Sequence, residues 1–268
     1  MRRVLFFGQK GGTPCLDVLT KDNKYEVIGV VPGTNPHQTG FEDIIKKANS
    51  LHIPLFNEQQ ISSLDYDILL SVQYDKILKK PVISKAKIGA YNLHFSKLPE
   101  HRGCHPLNWA ILEGSNEMGV TLHKMAVGID NGPIISQKVR PLNHTETALS
   151  LYHLASEMAA SLLQESLHII NNYSNGKTQP IEPLCYHTKN SIDYSKVEIP
   201  FDKDLITIDR FIRSRMFDPL QRPTIQSREI KGLEKIIIGE SSSEPITVSF
   251  YEKYAIIHGG KNKLFLRF

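Results

Sequence analysis

Three short runs rich in apolar and β-branched residues, 4–7 (VLFF), 25–31 (YEVIGVV) and 68–72 (ILLSV), constrain this chain more than any other feature. A strand without polar alternation has no face to give to water, so it must lie inside a sheet covered on both sides. Amphipathic stretches separate the runs. After the first comes Gly11-Gly12-Thr13-Pro14, which reads as a helix start with Thr13 as N-cap and Pro14 at the first helical position. Cys15, Leu16, Val18 and Leu19 then face inward. Further on, Phe41, Ile44, Ile45 and Ala48 repeat at helical spacing, with lysines on the wet face.

Strand, helix, strand, helix predicts an α/β, Rossmann-like fold: a mostly parallel twisted sheet with helices on both faces, built from right-handed crossovers. Residues 119–125 and 133–139 read as strands flanking a turn at 127–132, and residues 145–173 carry the longest helical pattern. After Asn175-Gly176 the texture becomes polar. A short helix at 205–217 follows, then β-rich runs at 236–238, 246–251, 254–258 and 264–268 with turns at Gly239 and Gly259-Gly260. The expected organisation is a domain over 1–180 and a small β-rich accessory domain over 181–268.

Charge and cysteine usage narrow the classes. With 32 Lys+Arg against 28 Asp+Glu the net charge is +4, too diffuse for a nucleic-acid binder. Cys15, Cys104 and Cys185 are odd in number and far apart, which speaks against a disulfide framework and for a reducing compartment. No apolar run approaches the ~18 residues of a membrane span, and the N-terminal run is too short for a signal peptide. A soluble, cytoplasmic protein is expected. The histidines show no ligand spacing, so no metal is expected.

The chemistry is not that of a dinucleotide fold. Gly8-Gln9-Lys10-Gly11-Gly12 lacks the G-x-G-x-x-G spacing, and Val31-Pro32 stands where a ribose-binding acid belongs. Residues 88–92 read instead as a strand, and Asn92 and His94, two apart, project from one side where it runs out. Open α/β sheets bind ligands at such carboxyl ends. An amide donor beside an imidazole suits acyl transfer, and Asp130, in the turn at 128–132, can orient the ring. Spacing alone leaves the alternative that these side chains satisfy strand-end backbone groups and that Asp130 is a turn residue.

Residues 92–137 (NLHFSKLPEHRGCHPLNWAILEGSNEMGVTLHKMAVGIDNGPIISQ) resemble the core of the folate-dependent formyltransferases, and a weaker likeness extends over the first 175 residues. The carriers, in order, are Asn92-x-His94, Leu98-Pro99 through Arg102-Gly103, Gly119-Val120-Thr121 and Asp130-Asn131-Gly132. The resemblance implies formyl transfer from 10-formyltetrahydrofolate to an amine. Asn92 would stabilise the oxyanion, His94 would assist proton transfer, and Asp130 would pair with His94 and relay the amine's proton. It implies folate contacts at Gln73, Tyr74, Ile77 and Leu78 and at Val127, Gly128, Ile129 and Asp130.

Residues 106–112 and 119–125 look most like the enzymes that formylate nucleotide-linked, dTDP-type amino sugars; the methionyl-tRNA formyltransferase is the rival. Residues 201–268 hold 12 Lys+Arg and 9 Asp+Glu, a surplus of 3 with the signs interleaved, and the loop 33–40 (GTNPHQTG) has no Lys or Arg. A tRNA would call for a stronger basic patch. A non-catalytic folate or nucleotide-binding module is a further alternative. Substrate contacts are expected from Ser96, which would also fix its loop, and from Lys10 and Arg102 on a pyrophosphate. Trp109 is read as either core or a base-stacking platform. A homodimer is expected through apolar residues of the last strands (Phe250, Tyr251, Leu264, Leu266, Phe268).

Overall fold

The apolar runs become neighbouring strands because only a sheet satisfies their backbone polar groups while burying both faces. In the computed structural model, residues 1–33, 43–172, 175–180, 186–218, 221–236 and 245–268 are described. The loop 34–40, Phe41, Tyr173, Cys185, residues 237–238 and Gly239 therefore lie outside the described residues. The elements are β1 (Arg2–Gly8), α1 (Thr13–Lys21), β2 (Tyr25–Pro32), α2 (Ile44–Ser50), β3 (Ile68–Val72), α3 (Lys80–Ile83) and β4 (Gly89–His94). They continue with β5 (Arg102–Gly103), α4 (Pro106–Glu113), β6 (Glu117–Lys124), β7 (Ile134–Pro141), α5 (Ala148–Asn171) and β8 (Tyr186–His187). The last part holds α6 (Leu205–Arg215), β9 (Thr224–Ile225), β10 (Arg228–Glu229), β11 (Gly232–Ile236), β12 (Thr247–Phe250), β13 (Tyr254–Gly259) and β14 (Asn262–Arg267).

Among the described residues the main sheet runs β2-β1-β3-β4-β6-β7. Strands β1 to β4 pair in parallel, while β6 and β7 join antiparallel. This is the mostly parallel α/β sheet that the apolar runs required. Register aligns Gly8 with Val72 and Ser71 with Asn92, so the loops after β1 and β3 and the end of β4 share the carboxyl edge. Two local readings change. Gly12, not Thr13, is the N-cap of α1, and Thr13 opens the helix with Pro14 behind it. In α2 the cap is Asp43, whose carboxylate accepts from the Ile45 and Lys46 N–H groups.

The chain forms two compact units that interleave in sequence: Met1–Pro106, Glu117–Pro141 and Tyr152–Lys189 in one, Leu107–Asn116, Leu142–Leu151 and Asn190–Phe268 in the other. In the first, Leu5, Phe7, Val31, Leu69, Leu78 and Ala90 form a buried cluster against which Tyr74 and Met125 pack. In the second, Ile208 and Ile212 of α6 pack with Ile257, Leu264 and Leu266 of the sheet β11-β14-β13-β12. Leu264 and Leu266 are thus spent on this unit's own core and offer nothing to a partner, correcting the expectation that placed them at a dimer face; Phe250 and Tyr251 remain exposed. Among the described residues no helix is long and apolar enough to cross a membrane.

Leu69 is fully buried between β1 and β4, whereas Val139 on β7 is 39 % exposed. Leu69→Ala is expected to cost about 2–5 kcal/mol through lost transfer energy and a residual cavity. Val139→Ala should stay within ~0.5 kcal/mol. Urea unfolding midpoints of the two variants check the contrast.

Candidate active site

Strand β4 projects alternate side chains to one face, which brings Asn92 and His94 to the carboxyl edge together. Its antiparallel neighbour β6 sets His123 opposite Asn92 and Thr121 opposite His94. The β6–β7 connection then folds back, and Asp130 meets Asn92, His94 and His123. Asp130 Oδ2 lies 3.4 Å from His94 Nδ1, Oδ1 lies 3.4 Å from His123 Nε2, and Oδ1 accepts from Asn92 Nδ2 at 3.2 Å. The Gly103 N–H donates to Oδ2 at 3.0 Å. Amide, imidazole and carboxylate converge at this edge.

Backbone carbonyls, which can only accept, fix which ring nitrogens donate. His123 Nδ1 donates to the Lys124 carbonyl at 2.9 Å, so in the neutral ring Nε2 accepts from Asn92 Nδ2 at 3.2 Å. His94 Nε2 donates to the His101 carbonyl at 2.9 Å, which turns Nδ1 toward Asp130. Both rings are buried, whereas Asn92 is only half-buried, so the cluster opens outward at the amide. Burial opposes ionisation of Asp130, yet the His94 and His123 rings and the Gly103 N–H outweigh it and hold the carboxyl well below the usual carboxylate range. Asp130 is therefore an acceptor at neutral pH. Its neighbour Cys104 is held as a thiol, because burial and the Asp130 charge both push its pKa up.

The turn carrying Asp130 is held at unusual backbone angles. Asp130 sits at φ 50° and Gly128 at φ 114°, in the left-handed region, and a Cβ on Gly128 would overlap the Asn131 amide. Asn131 Nδ2 in turn donates to the Val127 carbonyl at 3.0 Å. Of the residues expected to meet a folate, Ile77 and Val127 are 77 % and 84 % exposed, and Ile129 is also exposed. Tyr74 packs edge-on against Phe7 and spends its hydroxyl on Glu58 at 2.8 Å. Leu78 belongs to the core cluster, and Gln73 adopts φ 55° where the chain leaves β3.

The expected substrate contacts fare differently. Lys10 is half-buried and forms no ion pair among the described residues. Arg102 is 7 % exposed, and its donors go to Gln179 Oε1 (3.2 and 2.7 Å) and the Pro180 carbonyl (3.1 Å). This corrects the phosphate role expected of it: the fork is consumed inside the protein. Ser96 is likewise buried, donating to the Glu100 carbonyl at 2.7 Å, so it fixes its loop and does not face a substrate. Trp109 is half-buried in the second unit, with Nε1 donating to Ser191 Oγ at 3.1 Å. Sequence reasoning missed His123 and Gln179. The first had a signal, standing on the Gly119-Val120-Thr121 strand seven residues before Asp130; the second lies in a stretch read as polar linker.

Residues 15–167 match the profile of the formyl transferase family. The methionyl-tRNA formyltransferase of Methylacidiphilum infernorum (isolate V4) is 32 % identical over 276 aligned residues, which cover 96 % of this chain and 86 % of that protein. The bifunctional polymyxin resistance protein ArnA of Wigglesworthia glossinidia brevipalpis is 35 % identical over 158 residues, 54 % of this chain but 24 % of that longer protein. Among solved structures, the N-formyltransferase from Helicobacter canadensis, in complex with folinic acid and dTDP-3-aminofucose, superposes with a TM-score of 0.84 at 25 % identity, covering 100 % of this chain and 99 % of that one. WlaRD, a sugar 3N-formyl transferase solved with dTDP and 5-N-formyl-THF, gives a TM-score of 0.85 at 26 % identity, with 100 % and 97 % coverage.

A carboxyl depressed by folding stabilises the native state above its unfolded value and loses that contribution as pH falls toward the folded one. For Asp130, the stability difference between wild type and Asp130→Asn should be constant above pH ~5 and should shrink as pH drops below ~3.9. Denaturant midpoints of both proteins from pH 7 to pH 2.5 test this.

Proposed function

The chain belongs to the formyl transferase family, and from that premise we propose that it moves a formyl group from 10-formyltetrahydrofolate to the amine of a dTDP-linked amino sugar. The observation that carries the reading is the convergence of Asn92, His94 and Asp130 at the carboxyl edge of β4. The acceptor class is supported by the whole-chain likeness to two sugar formyltransferases, whose complexes hold a dTDP nucleotide and a folate. The interleaved charges of residues 201–268 favour it over a polyanion.

The amine nitrogen attacks the formyl carbon, forming the new C–N bond and an oxyanion. Asn92 meets that oxyanion with an Nδ2 hydrogen drawn from His123 or Asp130, a charge-assisted bond where the ground-state carbonyl receives a weaker one. His94, oriented by the His101 carbonyl and by Asp130, carries the proton lost by the amine toward the leaving N10 nitrogen. The old C–N10 bond then breaks to give the formamide and tetrahydrofolate. Asp130 stays ionised and compensates charge on the ring. The exposed apolar side chains of Ile77, Val127 and Ile129 fit a flat heteroaromatic ring.

Methionyl-tRNA is the second reading, favoured by the relative that aligns over 96 % of this chain. Tetrahydrofolate release, followed by absorbance, separates the two. Turnover is expected with a dTDP-linked 3- or 4-amino sugar and none with methionyl-tRNA; the reverse pattern selects the tRNA reading, and no turnover with either sinks the enzyme reading. Asn92→Ala, His94→Ala and Asp130→Ala should each lower kcat by at least ~100-fold while circular dichroism stays unchanged.

A further inference from the structure

The carboxylate of Asp130 is held by the Gly103 N–H, while its own main-chain carbonyl is held by a different group. Gln179 Nε2 donates to the Asp130 carbonyl at 2.9 Å and to the Gly132 carbonyl at 2.7 Å. Gln179 Oε1 accepts two bonds from Arg102, at 3.2 and 2.7 Å. Since Arg102 adjoins Gly103, the contacts close a ring: Asp130 carboxylate, Gly103 amide, Arg102 guanidinium, Gln179 carboxamide, Asp130 carbonyl. Gln179 and Arg102 are 5 % and 7 % exposed, and both hydrogens of the Gln179 amide are used. The short parallel pair of β5 with β8 anchors the other end. There the Cys104 N–H donates to the His187 carbonyl at 2.8 Å, and Gly103, at φ 91°, leaves no room for a Cβ against that same oxygen.

We infer that Gln179 is a positioning residue: it passes the rigidity of the Arg102–Gly103 strand to the Asp130 turn and fixes the carboxylate against His94 and Asn92. Asp130 needs such a brace because its left-handed backbone is intrinsically unfavourable and the turn is otherwise exposed from Ala126 to Ile129. Residues 175–180, which carry Gln179, are on this view part of the site's positioning apparatus and not a passive connection. A carboxamide suits the place because it donates to two carbonyls while accepting from a guanidinium. A carboxylate of the same shape keeps Arg102 but sets an oxygen against both carbonyls.

Gln179→Glu is therefore the diagnostic variant. The kinetic arm rests on the formyl-transfer reading: kcat should fall on the order of 100-fold, as for a misplaced reactive group, with KM for the acceptor within ~3-fold of wild type. Combined with Asp130→Asn, Gln179→Glu should add less than ~3-fold to the loss caused by Asp130→Asn alone, because both act on one carboxylate. A second arm needs no turnover. The Gly103 amide proton, bonded to a carboxylate, should resonate downfield in wild-type NMR spectra and move upfield in Gln179→Glu, with resonances of the β12–β14 sheet unchanged. An unchanged kcat, a rise in KM alone, fully multiplicative losses, or an unmoved Gly103 amide would each overturn the inference. If wild type turns over no acceptor while the Gly103 signal moves as stated, the positioning stands and the function reading fails.

Discussion

A buried carboxylate must be paid for with partners, and Asp130 collects four: the His94 and His123 rings, the Asn92 amide and the Gly103 N–H. Without them its desolvation would drive it neutral, and a neutral acid could not compensate charge on either ring. With them its carboxyl is held well below the usual carboxylate range and is ionised at neutral pH. The rest of the site follows from that one satisfied charge. Asn92 presents Nδ2 inward because its own Oδ1 would set an acceptor against the carboxylate, and His94 turns Nδ1 inward because Nε2 is committed to a carbonyl.

The sheet makes this arrangement possible by mixing strand directions. Strand β6 runs antiparallel to β4, from Thr121 opposite His94 to Lys124 opposite Tyr91. Running antiparallel, it places His123 opposite Asn92 and sends the β6–β7 connection back across the site. The parallel strands β1 and β3 supply loops to the same carboxyl edge, among them the segment holding Gln73, Tyr74 and Ile77. One strand reversal thus converts a generic open-sheet crevice into a place where a carboxylate and two imidazoles share a few ångströms. A cleft of about 580 Å³ lined by Lys196, Glu198, Phe211 and Thr224 belongs to the second unit and carries none of these groups.

The arginine in the Leu-Pro-x-x-Arg-Gly segment shows how residue type can mislead. An arginine near an active-site loop invites a phosphate, and its planar fork would suit one. Arg102 instead satisfies a buried carboxamide and a carbonyl, a role invisible until Gln179, 77 residues away, is seen against it. Ser96 makes the same point on a smaller scale, with a hydroxyl turned to its own loop at Glu100.

The amino-acid sequence by itself pointed to the sheet, because runs such as ILLSV have no face to give to water, and it offered Asn92, His94 and Asp130 as candidates through a two-residue strand spacing, an Asp-x-Gly turn and the family resemblance, while spacing alone left a purely structural role open. Tertiary structure alone decided which atoms donate and which accept. The ring orientations of His94 and His123 depend on carbonyls of His101 and Lys124, and the reach of Asp130 depends on β6 reversing direction. It also decided that Leu264 and Leu266 face their own core, since alternation along a strand cannot say what lies on its apolar side. Local chemistry is written in spacing; hydrogen-bond polarity is written only where distant backbone groups meet.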